Sequence, residues 1–218
     1  MKTSIVRIFI AAAVVFCAMR PYASADSRTL KEFIGKVSSS LVSFDYSFTM
    51  PTGKGKVTGS GAVKVQGASF FVDANGLELW CDGKTLWTVD RISEEAMVEY
   101  VDDSYNGYAT NPALMVSSLG DAFREESFGA SKFAGKAVDA SVLSPVHKGK
   151  SSYDIAGLKL YFRKGTSVLV GAEVTLNDGS VSDFNISGLK FEASGESKES
   201  FRFDEKTLES SYVVTDLR

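Results

Sequence analysis

Few residues in this 218-residue chain could do chemistry, and none is well placed for it. His147 is the sole histidine and stands beside Pro145 and Lys148 in an expected loop. Acid–base or nucleophilic catalysis needs such a ring oriented by partners, and the sequence around it offers none. No Gly-x-Ser-x-Gly run occurs, so no serine is set up for the sharp strand-to-helix turn of a hydrolase nucleophile. Cys81 falls inside an expected strand with no histidine beside it and reads as a small buried hydrophobe. Glu99, Asp102 and Asp103 form an acidic patch, but without the ligand spacing and glycine of a calcium loop. Zinc-type spacings and phosphate-binding glycine loops are also missing. Enzymatic activity and a cofactor are therefore not expected.

Apolar material is what the chain has in quantity. It holds 15 Phe, 2 Trp and 5 Met, and 44 % of its residues are hydrophobic, more than the sparse polar chemistry accounts for. A sheet of this size needs an ordinary core, which takes most of them. A curved sheet covered by small helices could instead enclose a hydrophobic pocket. Periodicity does not separate the two arrangements.

Lys2 and Arg7 precede an apolar run from Ile8 to Met19, and Ala23-Ser24-Ala25 is a small-x-small site before Asp26. Residues 1–25 are therefore expected to be a secretory signal peptide, cleaved after Ala25. Phe16 before Cys17 departs from the small residue that lipid attachment requires. The leader takes Lys2, Arg7 and Arg20 with it, so the formal charge moves from −3 to about −6. So acidic a chain is a poor binder of nucleic acid or anionic membrane. Cys81 would be its only thiol, which excludes an internal disulfide and leaves the core to stabilise itself.

The elements follow from periodicity. Leu30, Phe33, Ile34, Val37 and Leu41 recur at helical spacing, with Thr29 and Glu32 or the preceding Asp26 or Ser27 as caps. From Val42 to Met50 the period becomes two, with Phe44, Tyr46 and Phe48 on one face. Gly59 and Gly61 share a face of the next strand, which suggests a bend, a bulge or a close approach. Asp82-Gly83 predicts a two-residue hairpin turn between strands that carry both tryptophans, Trp80 and Trp87. Asn111-Pro112 predicts a helix start, with the helix broken at Gly120 and a short turn after Asp121. Strands follow to the end, including Phe201 to Phe203 and Tyr212 to Thr215. The reading is one α+β domain: an antiparallel barrel or sandwich with helices in two places.

Several of these pieces, in this order, resemble the periplasmic lipoprotein carriers of the LolA family. Cys81-Asp-Gly-Lys-Thr-Leu-Trp87 is similar to that family's Ser-Asp-Gly-Lys-Thr-Leu-Trp signature. Val42 to Thr49 resembles its Ser-Phe-x-Ala-Ser-Phe-Thr strand, and Gly59-Ser-Gly-Ala-Val-Lys64 its Gly-x-Gly-x-Leu-x-x-Lys region. Asn111-Pro-Ala-Leu-Met115 stands at the family's second helix start, and Phe201-Arg-Phe203 resembles its late Phe-x-Phe strand. The resemblance implies a curved antiparallel sheet forming an incomplete β-barrel, with an N-terminal helix and short lid helices over a hydrophobic cavity, spanning residues 26–218. It implies a periplasmic, monomeric, non-enzymatic carrier of acylated lipoproteins or related lipids. Its partners would be an inner-membrane lipoprotein-releasing transporter and an outer-membrane receptor. Phe48, Phe70, Leu79, Trp80, Leu86 and Trp87 would lie on or near the cavity side, and Leu114, Met115 and Leu119 on the lid. Which member of each alternating pair faces inward stays open. Where the carriers have an Arg-Pro pair that fastens the lid, this chain has Val65-Gln66-Gly67. A periplasmic sensing or protein-interaction module on the same fold is the alternative.

Overall fold

The computed structural model describes residues 27–53, 55–101, 112–146, 155–195 and 198–218. The expected leader, Asp102, Asp103, Asn111 and His147 lie outside the described residues, as does the side chain of Leu114. Helix α1 (Arg28–Ser39) leads directly into β1 (Ser40–Thr52), and β2 (Gly55–Gln66), β3 (Ser69–Ala74), β4 (Leu77–Cys81), β5 (Thr85–Asp90) and β6 (Glu95–Tyr100) follow. Helix α2 (Pro112–Ala122) then opens a second run: β7 (Phe123–Phe133), β8 (Lys136–Pro145), β9 (Ile155–Arg163), β10 (Leu169–Leu176) and β11 (Val181–Ala193). Two 3₁₀ turns (Lys198–Phe201 and Glu205–Thr207) precede β12 (Val213–Asp216). All twelve strands form one sheet in the order β12-β6-β5-β4-β3-β2-β1-β11-β10-β9-β8-β7, with β12 and β7 as its edges. The sheet does not close, so the architecture is an incomplete barrel with helices, as expected. The one parallel pairing among the described residues is β12 with β6. Among the described residues no helix is long and apolar enough to cross a membrane.

Alternation decides which residues the helices cover. One face, here the inner, carries Phe44 and Tyr46 of β1, Val63 and Val65 of β2, Phe70 and Val72 of β3 and Leu158, Leu160 and Phe162 of β9, packed with Leu30, Phe33 and Val37 of α1. Phe33 makes edge-to-face contacts with Phe162 at 5.6 Å and Phe191 at 6.1 Å, which fixes α1 on the sheet. Ser27 is the cap that forms: its Oγ accepts from Leu30 N at 3.1 Å. Buried Glu125 of β7 in turn accepts from Ser27 Oγ at 2.9 Å and from Ser27 N, joining the start of α1 to the strand that follows α2.

The glycine pair of β2 marks a close approach. Gly59 stands opposite Phe48 and Gly61 opposite Tyr46 across β1. A Cβ on Gly59 would lie 2.5 Å from the Phe48 ring and one on Gly61 2.7 Å from the Tyr46 ring. The rings thus lie down across the neighbouring strand, where a side chain would hold them away.

Four local expectations differ from the structure. The loop at Asp82-Gly83 has three residues, because Asp82 Oδ1 accepts from Lys84 N at 2.9 Å and Thr85 N at 2.8 Å, with Gly83 at φ +92°. Helix α2 passes through Gly120 to Ala122, since the bare Cα there lets α1 come close. The turn expected after Asp121 is instead the start of β7. Phe201 to Phe203 is not a strand: Phe201 ends a 3₁₀ turn, and Phe203 packs in the outer cluster.

Candidate functional site

Helix α2 lies on the inner face beside α1, over β2 and β3. Its proline is the first helical residue, where the missing N–H costs nothing. Met115, Val116 and Leu119 of α2 form the roof of an apolar cavity whose floor is Phe44 and Tyr46 of β1, Leu160 of β9, Leu169 and Ala172 of β10, and Phe184 and Ile186 of β11. The lining presents no polar surface, and the void is about 20 Å³. That is room for roughly one water, and a void without polar partners stays dry. With α2 in this position the interior is closed.

The helices meet where a Cβ on Gly120 would sit 3.3 Å from Cγ2 of Ile34. A Cβ at 120 therefore fits only if the Ile34 methyl yields by a few tenths of an ångström. The stretch that carries the Arg-Pro pair in the resembling carriers contributes Val65 to the core, 2 % exposed, so no arginine fastens the roof from there. Burial, helped by the charge of Asp73, pushes the Tyr46 phenol up to about 12, so it stays neutral and apolar toward the void at any physiological pH. Burial likewise pushes the Cys81 thiol up to about 11, so it stays protonated at neutral pH. Among the described residues, no group of three or more His, Cys, Asp or Glu side chains is placed to hold a metal ion.

Of the expected site residues, Met115 and Leu119 roof the cavity, and Phe48, Phe70, Leu79 and Leu86 belong to the apolar body around it. Phe48 stacks on Tyr46 at 6.2 Å and leans on Phe184 at 6.1 Å. Trp80 and Trp87 differ from expectation: they lie on the outer face, in a separate cluster with Val89, Ala96, Val98 and Phe203. Leu79 and Trp80 are adjacent in one strand, as are Leu86 and Trp87, so neither pair can share a face. The outer cluster instead holds the C-terminal segment. Trp87 Nε1 donates to Glu205 Oε1 at 3.0 Å, Trp80 packs on Phe71 at 4.2 Å, and Arg91 bridges Glu78 to the rings of Phe203 and Tyr212. Burial alone would raise the Glu78 carboxyl, but hydrogen bonds from Arg91 and Trp80 hold it below the usual range. Its contribution is present above the ordinary glutamate pKa and is lost as pH falls through the depressed one.

Eight of the ten lining residues were not expected as site residues: Phe44, Tyr46, Val116, Leu160, Leu169, Ala172, Phe184 and Ile186. Their strands alternate clearly enough to put them on one face, but only the order β1-β11-β10-β9 brings those faces under α2.

No family model and no curated protein matches the chain. Solved structures do show likeness over most of their length. An uncharacterized conserved protein from Thermus thermophilus is 12 % identical with a TM-score of 0.49, over 87 % of this chain and 99 % of that one. A putative outer membrane lipoprotein-sorting protein domain from Vibrio parahaemolyticus is 11 % identical with a TM-score of 0.44, over 79 % and 94 %. The LolA superfamily protein NE2245 from Nitrosomonas europaea is 10 % identical with a TM-score of 0.41, over 79 % and 97 %.

Proposed function

We propose that the protein is a non-enzymatic periplasmic carrier that takes acyl chains of lipoproteins or related lipids between α2 and the inner sheet face. It would receive them from an inner-membrane lipoprotein-releasing transporter and pass them toward an outer-membrane receptor. The observation that carries this reading is the continuous apolar interior with one short helix as its roof. The motif resemblance of the 81–87 hairpin and its neighbours supports it.

The closed void requires the roof to move, and the magnitudes allow it. Uncovering Met115, Val116 and Leu119 costs roughly 5–9 kcal/mol at about 1.5–3 kcal/mol per side chain. Each buried methylene returns about 0.8 kcal/mol, so some six to eleven offset the opening, fewer than a myristoyl chain carries. No charged contact is needed. The test fills the floor: Ala172→Phe should lower the affinity for cis-parinaric acid, followed by its fluorescence, about ten-fold or more while the circular dichroism is retained. Unchanged affinity would mean that chains do not bind in the cavity.

A periplasmic interaction module is the second reading. Two observations favour it: the void is small, and Ile92, Val213 and Leu217 are exposed apolar side chains away from it. Absence of any acyl binding by the unmodified protein would select this reading.

A further inference from the structure

Beyond the roofed cavity, the same sheet face continues across β4, β5, β6 and β12, where past the buried Cys81 and Leu86 its side chains become exposed. Leu77 is 38 % exposed, Met97 36 % and Val213 63 %. With Thr88 and Thr215 they floor an open groove of about 390 Å³, far larger than the void under α2. Asp90 and Glu95, opposite each other across β5 and β6, close one end. Glu99 stands on the same face two residues past Met97, opposite Leu86. Among the described residues no ion pair involves these three carboxylates. The nearby arginines are turned to the outer face, Arg91 toward Glu78 and Arg218 toward Asp216 and Glu205. The groove therefore pairs an apolar floor with uncompensated negative charge.

Its border is an open sheet edge. Val213 N donates to Glu94 O at 2.9 Å and Leu217 N to Val98 O at 2.8 Å, so the odd-numbered amides of β12 serve the pairing with β6. Strand alternation aims the amides of Val214 and Asp216 away from the sheet. With two exposed valines and a free row of backbone donors and acceptors, β12 can template a further strand.

We propose that this edge and groove form a docking site for an extended cationic polypeptide segment. The segment adds as a strand beside β12 and turns every second side chain toward the inner face, where lysine or arginine stems cross Val213, the partner of Glu95, to reach Glu95 and Glu99. The site lies outside the acyl cavity and does not depend on it.

The test uses a nine-residue peptide of alternating lysine and valine, its glutamate-for-lysine counterpart and residues 26–218 in isothermal titration. The lysine peptide should bind and the glutamate peptide should not. Val214→Pro removes one outward N–H and no bond to β6, so it should weaken the lysine peptide at least ten-fold without moving the thermal midpoint. Glu95→Gln/Glu99→Gln should weaken it about ten-fold and flatten its salt dependence. Cis-parinaric acid binding should be untouched by either variant, which separates failure here from failure of the carrier reading. Equal binding of both peptides, full binding to Val214→Pro, or self-association at the edge with no peptide binding would overturn the proposal.

Discussion

Oxidation of an Ile34→Cys/Gly120→Cys protein is expected to stop acyl uptake, and reduction to restore it. The two positions approach so closely that a Cβ on Gly120 would lie 3.3 Å from Ile34 Cγ2, and replacing isoleucine by cysteine removes that methyl. The Cβ of residue 34 is one bond from that Cγ2, so the two Cβ atoms are close enough for a disulfide to be tried across them. The bond fixes α2 to α1, and α1 is itself held to the sheet by Phe33 on Phe162 and Phe191 and by Lys36 on Ser167. With the roof fixed, the void stays at about 20 Å³ and admits no chain. Buried Cys81, its pKa pushed up to about 11, does not compete for the new thiols. Uptake of cis-parinaric acid should fall at least a hundred-fold in the oxidised form and return within the reduction time. Undiminished uptake by the oxidised protein would mean that chains bind without passing α2.

Trp87→Ala is expected to cost about 3–5 kcal/mol of folding stability, the range for removing a buried large aromatic. Trp87 is 2 % exposed, lies between the sheet and the C-terminal segment, and satisfies its indole N–H on Glu205. Its removal opens the outer cluster and unpins residues 203–212 together with β12. Urea unfolding should show the midpoint falling, and the variant that remains folded should still take up cis-parinaric acid. A loss below about 1 kcal/mol, or intact stability with lost uptake, would return the tryptophan to the pocket wall. Trp80→Ala should cost less, because Trp80 is only half-buried and its N–H is held by Glu78 within its own strand.

The contrast between the tryptophans and the cavity shows where sequence reasoning stops. α1 was legible because Leu30, Phe33, Ile34 and Val37 leave one stripe, although Leu41, expected to continue it, belongs to β1; β1 was legible because Phe44, Tyr46 and Phe48 alternate without a break. The glycines at 59 and 61 left a bend, a bulge or a close approach open, and only the folded chain shows the approach of the Phe48 and Tyr46 rings. β7 escaped notice because an edge strand buries little: past Glu125 its residues are half-buried or exposed and give no alternation. Gly120 looked like a helix breaker because its value, letting α1 and α2 touch, exists only in the folded chain. Phe201 and Phe203 have strand spacing, yet both are buried without forming a ladder. At the site the hairpin's alternation was plain, but choosing between Leu79 and Trp80 needed the position of the helices. That choice came from packing between distant segments, which local periodicity does not encode.

The central claim is that the interior under α2 holds acyl chains. Native mass spectrometry of residues 26–218 mixed with a triacylated lipopeptide tests it most directly. The expected result is a one-to-one complex that survives desolvation, is lost in Ala172→Phe, and is absent from the oxidised Ile34→Cys/Gly120→Cys protein until reductant is added. A protein that stays bare with the lipopeptide in excess, while folded and reduced, would contradict it.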